Sequence, residues 1–332
     1  MKSGPARVLE ALRRAEGRVC SGAQLSAAQG VSRAQVWKDV EALREQGYVV
    51  DATPGGGYQL REAPDRLYPE EILAGLDTRW LARDLRWFDS TDSTNRIALE
   101  LARAGAAHGT TVVAEAQTAG RGRLGRAFFS PPHLNLYTSI VLRPQLATAE
   151  APSWILAAAC AVADAIEEEL DDPGAVEIKW PNDVLLGGLK TSGILMELGA
   201  EAARVSFLVL GIGVNLNVDR SAFPEEFRAL ATSVSSHTGR RVDRVVFARR
   251  LYNRLERTLD ACAHGGFAAV RPRFESRFRM PGRRVEVVEL DGSRTAGVAL
   301  DIEADGALRV RRDDGQQVRV VAGDVTLAKE GR

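Results

Sequence analysis

A chain of 332 residues exceeds what one ordinary core organises and implies two or three domains. Forty-four Lys/Arg balance 44 Asp/Glu, so no overall field selects nucleic acid or membrane, and any DNA binding must be local. The 45% hydrophobic and 27% charged content is that of a globular protein, and the uncharged apolar run 154–163 is too short to span a bilayer. Cys20, Cys160 and Cys262 lie far apart with no metal-ligand spacing, which suits a reducing cytoplasm, and residues 1–5 hold no apolar stretch that would start a signal peptide.

Residues 1–64 read as helices followed by a hairpin. Val8, Leu9 and Leu12 give a first helix its apolar side. Ser21 with Gln24, and Ser32 with Gln35, have the spacing of capping boxes. The second opens a helix with Val36, Val40 and Leu43 on one stripe, closed by Gly47. Two capped helices joined through Gly30 predict a helix-turn-helix, and Tyr48–Val50 and Tyr58–Leu60 around Pro54-Gly55-Gly56-Gly57 predict its wing. Ser32, Arg33, Gln35 and Lys38 are placed to meet DNA, with Asp39, Glu41 and Glu45 opposing. Residues 1–64 hold nine Lys/Arg against seven Asp/Glu, so a single copy should bind weakly and a homodimer on two half-sites is expected.

Pro64 and Pro69 bracket a linker, after which strand-like and helix-like runs alternate from about residue 67 to 269, as in an α/β or α+β domain. Runs 111–116, 136–142 and 207–212 read as strands, and 154–170 and 246–259 as helices with an apolar residue every fourth position. From 282 to 327 valines and leucines alternate with polar residues around three Asp-Gly pairs, at 291–292, 305–306 and 314–315, predicting a small β-barrel with hairpin turns of positive φ at both positions.

Two clusters carry the chemistry. The run 120–126, Gly120-Arg121-Gly122-Arg123-Leu124-Gly125-Arg126, combines bare backbone with guanidinium groups, which suits a loop that folds over an anion. By composition alone a solvated or RNA-binding Arg/Gly stretch fits equally. Phe128 adds apolar bulk for a flat ring, and Asp92-Ser93-Thr94-Asn95 offers polar groups at a helix start. In Lys179-Trp180-Pro181-Asn182-Asp183, Asn182 and Asp183 supply the hard oxygens Mg²⁺ takes beside a triphosphate, or simply hold a turn. Lys190, Gly193 and the glycines of Gly211-Ile212-Gly213-Val214-Asn215 follow. Arginines on a closing loop, lysines and an Asn-Asp pair are what joining a carboxylate to the α-phosphate of ATP requires, because two anions must be brought together away from water.

In this order these motifs resemble those of the biotin protein ligase family, and nearly the whole chain resembles the bifunctional form that is also the biotin operon repressor. The resemblance implies an α+β chain: a winged helix-turn-helix at 1–64, a mixed-sheet class II synthetase-like ligase domain at 65–277, and an SH3-like barrel at 278–332. It implies biotin and ATP as substrates with Mg²⁺, a biotin carboxyl carrier lysine as acceptor, operator DNA and a second copy as partners, and no membrane. Ser93, Thr94, Asn95, Gln117, Gly120, Arg121, Lys190, Gly193, Gly211 and Gly213 would hold biotin. Arg123, Arg126, Phe128, Lys179, Asn182 and Asn215 would hold ATP or adenylate, with Arg121, Arg123, Lys190 and Asp183 catalytic and Asn182 and Asp183 on the metal. Two departures stand out: Phe128 sits where bacterial members can carry tryptophan, and Thr191-Ser192 is unusually polar beside Lys190. Lipoate protein ligase, which shares the adenylation logic, and a ligand-sensing regulator without ligase activity are the alternatives.

Overall fold

A computed structural model describes residues 3–53, 56–289 and 292–327. The chain forms two compact units, Met1–Arg66 and Leu67–Arg332.

In the first unit, α1 (Gly4–Arg14), α2 (Gly22–Gln29) and α3 (Arg33–Glu45) precede the antiparallel hairpin β1 (Val49–Thr53) and β2 (Gly57–Glu62). The Ser21–Gln24 capping box forms, and Gly30 closes α2 at φ +65°. The second expected box is only half present. Ser32 Oγ accepts from Gln35 N at 3.1 Å, but the Gln35 amide turns along α3 to Asp39 Oδ1 at 3.0 Å. Asp39 is 5% exposed and packs where α1 begins, so close to Gly4 that a Cβ there would lie 2.6 Å from its carboxylate. It is therefore turned in from the exposed face that the sequence suggested and serves the positive end of α1. The outer face of α3 carries Arg33, Trp37 and Lys38. The wing strands pair as expected, and the Pro54-Gly55 part of the turn lies outside the described residues.

The second unit is built on a seven-stranded sheet. Its strands are β3 (Leu85–Phe88), β4 (Thr111–Ala114), β5 (Leu136–Leu142), β6 (Val176–Lys179), β7 (Asp183–Leu186), β8 (Leu189–Glu201) and β9 (Arg204–Val214). Their order is β3-β4-β5-β9-β8-β7-β6, antiparallel except for β3–β4. In β9, Leu208, Leu210, Ile212 and Val214 join the main core, whereas Val209 belongs to a second cluster with α5. The helices are α4 (Pro69–Leu73), α5 (Thr94–Arg103), α6 (Pro152–Glu167), α7 (Glu225–Arg228), α8 (Val234–Thr238), α9 (Arg244–Gly265) and α10 (Arg271–Glu275). α9 starts earlier than its apolar repeat because Asp243 caps it, accepting from Val246 N at 2.9 Å. The segment Thr148–Glu167 is long and apolar enough to cross a membrane, but 72% of that window is buried against the sheet and α9, as in a core helix.

The C-terminal strands β10 (Arg284–Val288), β11 (Arg294–Ile302), β12 (Leu308–Arg311), β13 (Gln317–Val320) and β14 (Asp324–Leu327) form an antiparallel sheet in the order β13-β12-β11-β10-β14. The turns differ from expectation. Gly306 and Gly315 take positive φ while Asp305 and Asp314 do not, and Glu303 N to Ala307 O at 2.8 Å closes a loop in which glycine follows a tight turn. Asp291 lies outside the described residues. This sheet shares one core with the central one: Val285, Ala299, Leu308 and Val325 pack in the same cluster as α6 and α9. Trp180, 1% exposed, is the bolt between them, donating from Nε1 to Gly306 O at 2.9 Å.

Candidate active site

The glycines of β9 open a trough. Gly211 and Gly213 pair with Ser139 and Tyr137 on β5 and with Leu195 and Gly193 on β8. Strand alternation puts all six on the face that α5 covers. A Cβ on Gly211 would lie 1.9 Å from Asn95 Oδ1, and one on Gly213 would lie 2.6 Å from the Phe128 ring. The missing side chains are thus replaced by Asn95 from the start of α5 and by Phe128. The trough opens to solvent between these residues.

Its polar rim is continuous. Gln117 Oε1 accepts from Thr94 N at 2.9 Å and Thr94 Oγ1 at 3.1 Å, while Gln117 Nε2 donates to Ser130 Oγ at 2.9 Å. Ser93, at the N-cap position, makes no side-chain cap; Gln117 reaches in from outside the helix to satisfy the Thr94 N–H instead. Ser139 Oγ lies 2.8 Å from Thr94 Oγ1 and 2.7 Å from Asn95 Oδ1, and Asn95 Nδ2 donates to Glu197 Oε2 at 2.9 Å.

The Arg/Gly run is folded as a small hairpin. Phe128 N donates to Gly120 O at 2.9 Å and Gly122 N to Arg126 O at 2.7 Å, with Leu124 and Gly125 at positive φ in the turn. Each arginine meets a different element. Arg121 Nη1 is 3.5 Å from Glu197 Oε1, Arg123 Nη1 donates to Asn182 Oδ1 at 3.2 Å, and Arg126 Nη2 is 2.5 Å from Asp324 Oδ2. A loop of like charges is thereby ordered by partners on β8, on the loop before β7 and on β14.

Two lysines flank Asp183. Lys190 Nζ lies 2.6 Å from Oδ1, a charge contact without hydrogen-bond alignment, and Lys179 Nζ lies 3.8 Å from Oδ2. Burial pulls the Lys179 ammonium below its usual pKa against the opposing pull of Asp183 and Asp324. Arg123 is likewise lowered by burial, with Asp324 and Asp183 opposing. Arg121, Arg123, Arg126, Lys179 and Lys190 thus face only Glu197, Asp183 and Asp324. The excess is two positive charges, a site for anions. It does not suit a cation held by protein alone: Asn182 Oδ1 is taken by Arg123, Asp183 is engaged by lysines, and no group of three His, Cys, Asp or Glu able to hold a metal occurs among the described residues.

Ser93, Thr94, Asn95, Gln117, Arg121, Arg123, Phe128, Asn182, Lys190, Gly193, Gly211 and Gly213 all line the one pocket. Phe128 sits among the glycines, its ring against Gly193 and Gly213. Gly120 backs the Phe128 carbonyl, whereas Arg126, Lys179 and Asp183 stand beside the pocket towards β14. Asn215 is 4% exposed and donates to Thr232 O at 3.2 Å, behind the pocket wall. Sequence reasoning missed Ser139 and Tyr137, which share the face of the β9 glycines by alternation alone, and Ser130, Glu197 and Asp324, which no local pattern marks.

This geometry has close counterparts. The biotin/lipoate A/B protein ligase family matches residues 87–215, an HTH domain residues 6–59, and the biotin protein ligase C-terminal domain residues 282–327. The bifunctional ligase/repressor BirA of Bacillus subtilis (strain 168) is 36% identical over 320 residues, 96% of this chain and 97% of its own. That of Escherichia coli (strain K12) is 32% identical over 303 residues, 90% of each chain. The structure of the biotin protein ligase from Aquifex aeolicus in complex with biotin and ATP superposes with a TM-score of 0.63 at 28% identity, covering 75% of this chain and 100% of that one. The chain therefore belongs to the biotin protein ligase family, in the bifunctional ligase/repressor form that carries an N-terminal helix-turn-helix.

Proposed function

We propose that the chain joins the biotin carboxylate to the α-phosphate of ATP, transfers the biotinyl group to a lysine of a biotin carboxyl carrier protein, and represses biotin genes when loaded with biotinyl-5′-AMP. One observation carries the first part: a glycine trough with a polar rim opens directly onto an excess of fixed cations. In step one a carboxylate oxygen bonds to the α-phosphorus, the α–β P–O bond breaks, and pyrophosphate leaves. Lys190, Arg121 and Arg123 offset the repulsion between the two anions. In step two the acceptor amine attacks the mixed anhydride, AMP departs with the bond electrons, and the amine loses a proton, for which Asp183 stands ready. Ser93, Thr94, Asn95 and Gln117 hold the ureido head, Arg126, Lys179 and Asn182 belong to the nucleotide side, and Phe128 packs on the glycines while Asn215 braces the wall behind them. Mg²⁺ enters on the triphosphate rather than on a protein site.

The proposed limits are 1–64 for the winged helix, 65–277 for the catalytic domain and 278–332 for the C-terminal domain, in a cytoplasmic protein. Exchange of labelled pyrophosphate into ATP tests the substrate: biotin should support it and lipoate should not, and the reverse makes this a lipoate-type ligase. Arg123→Ala should slow exchange by about 100-fold, as loss of one charge-stabilising donor does, with an unchanged far-UV spectrum. Because burial lowers the Lys179 pKa, its charge is lost at lower pH than an exposed lysine's. ATP affinity measured by calorimetry should therefore fall early in the alkaline range, and Lys179→Arg should move that fall upward. Biotin plus ATP should shift sedimentation from monomer towards dimer, the state needed for two half-sites, and Arg33 and Lys38 on α3 would face the operator.

A further inference from the structure

We propose that Glu197 is the positioning residue that ties the ring end of the pocket to the arginine loop. This rests on reading the pocket as the biotin site. Glu197 lies on β8 opposite Val209, one step beyond the Leu195–Gly211 pair, and its side chain is 25% exposed. Its two oxygens serve two different elements: Oε2 accepts from Asn95 Nδ2 at 2.9 Å, and Oε1 lies 3.5 Å from Arg121 Nη1.

An ionised carboxylate only accepts hydrogen bonds. The side-chain amide of Asn95 could otherwise flip, presenting a donor or an acceptor to the ligand. Glu197 holds its NH₂ group towards β8, while Ser139 Oγ, 2.7 Å from Asn95 Oδ1, holds the carbonyl towards the glycine trough. Glu197 is also the charged end of a chain that is otherwise neutral, from Ser130 through Gln117, Thr94, Ser139 and Asn95. The Arg121 limb is half-exposed and long, so it is weak by itself, whereas the Asn95 limb is short. Glu197 thus fixes which face Asn95 shows the ligand and, through its second oxygen, where Arg121 waits.

Glu197→Gln keeps the shape but can donate, so the Asn95 amide is free to turn, and it has no charge for Arg121. It should raise the biotin KM in pyrophosphate exchange about tenfold, the size of one charge-assisted hydrogen bond, with the ATP KM within about twofold. Tryptic cleavage after Arg121 in ligand-free protein should also be faster than in the parent. Glu197→Asp, which retains charge and acceptor, should fall between parent and Gln variant; it takes over the test if the Gln variant does not fold. Parent-like biotin KM and cleavage in the Gln variant would overturn the proposal. If the parent shows no biotin-dependent exchange while cleavage still responds to Glu197→Gln, the reading of the pocket fails and the Glu197 anchor stands.

Discussion

Gly211→Ala is expected to weaken biotin binding by at least about 100-fold while leaving the fold in place. The added methyl carbon would sit 1.9 Å from Asn95 Oδ1 and 2.7 Å from its Cγ, far inside contact distance. Asn95 cannot swing aside, because its short amide is held by Ser139 on one side and Glu197 on the other. The strand cannot retreat either, since β9 is hydrogen-bonded along its length to both β5 and β8. The conflict must therefore be resolved by expelling Asn95 from the rim, which removes a polar group and narrows the trough together. The overpacking should cost about 1–3 kcal/mol, which a unit of this size survives. Calorimetric titration with biotin, alongside chemical denaturation, checks both halves; undiminished affinity would mean that Asn95 does not form the ligand's polar rim.

Glu115→Gln should cost about 3–5 kcal/mol of stability, because it removes the carboxylate that the buried Arg244 charge faces. Both side chains are wholly inaccessible, with Arg244 Nη1 2.8 Å from Glu115 Oε2. Glu115 Oε1 also accepts from Leu67 N at 2.7 Å and Trp87 Nε1 at 3.3 Å, so it ties the start of the second unit to the sheet just ahead of Gln117. Burial alone would raise its pKa, but the Arg244 charge and the hydrogen bonds outweigh that, and the carboxyl titrates below its usual 4.5. A lowered folded pKa means that the stabilisation is complete above 4.5 and is lost as pH falls through the folded value. Urea denaturation should show the parent losing stability in acid and Glu115→Gln losing less, from a lower starting point. A neutral-pH difference below about 1 kcal/mol would contradict the buried-pair account.

The parts of this protein that follow local periodicity were legible. Val36, Val40 and Leu43 marked α3, the run 136–142 marked β5, and the motifs around 93–95, 120–126, 179–183 and 211–215 each send at least one residue to one pocket. What escaped was set by tertiary partners. Gln35 has the spacing of a capping box, yet Asp39 one turn on draws its amide away. Asp39 was expected on the exposed face of α3, yet the start of α1 encloses it. Trp180 sits inside the motif that signalled nucleotide chemistry, yet its indole fastens the C-terminal sheet through Gly306. Glu197 and Asp324 each hold one arginine of the loop from strands far along the chain. The loop's composition left a solvated or RNA-binding stretch open, and the carboxylates that shape the loop could be found only in three dimensions.

The central claim is that the glycine trough and the arginine loop together make an acyl-adenylate and pass it to a protein lysine. Labelled biotin, ATP and magnesium incubated with this chain and a biotin carboxyl carrier domain test it directly. ATP-dependent label should appear on the acceptor's lysine, lost with Gly211→Ala and strongly reduced with Arg123→Ala. Tight biotin binding with no label on the acceptor would contradict it and leave a sensor in place of a ligase.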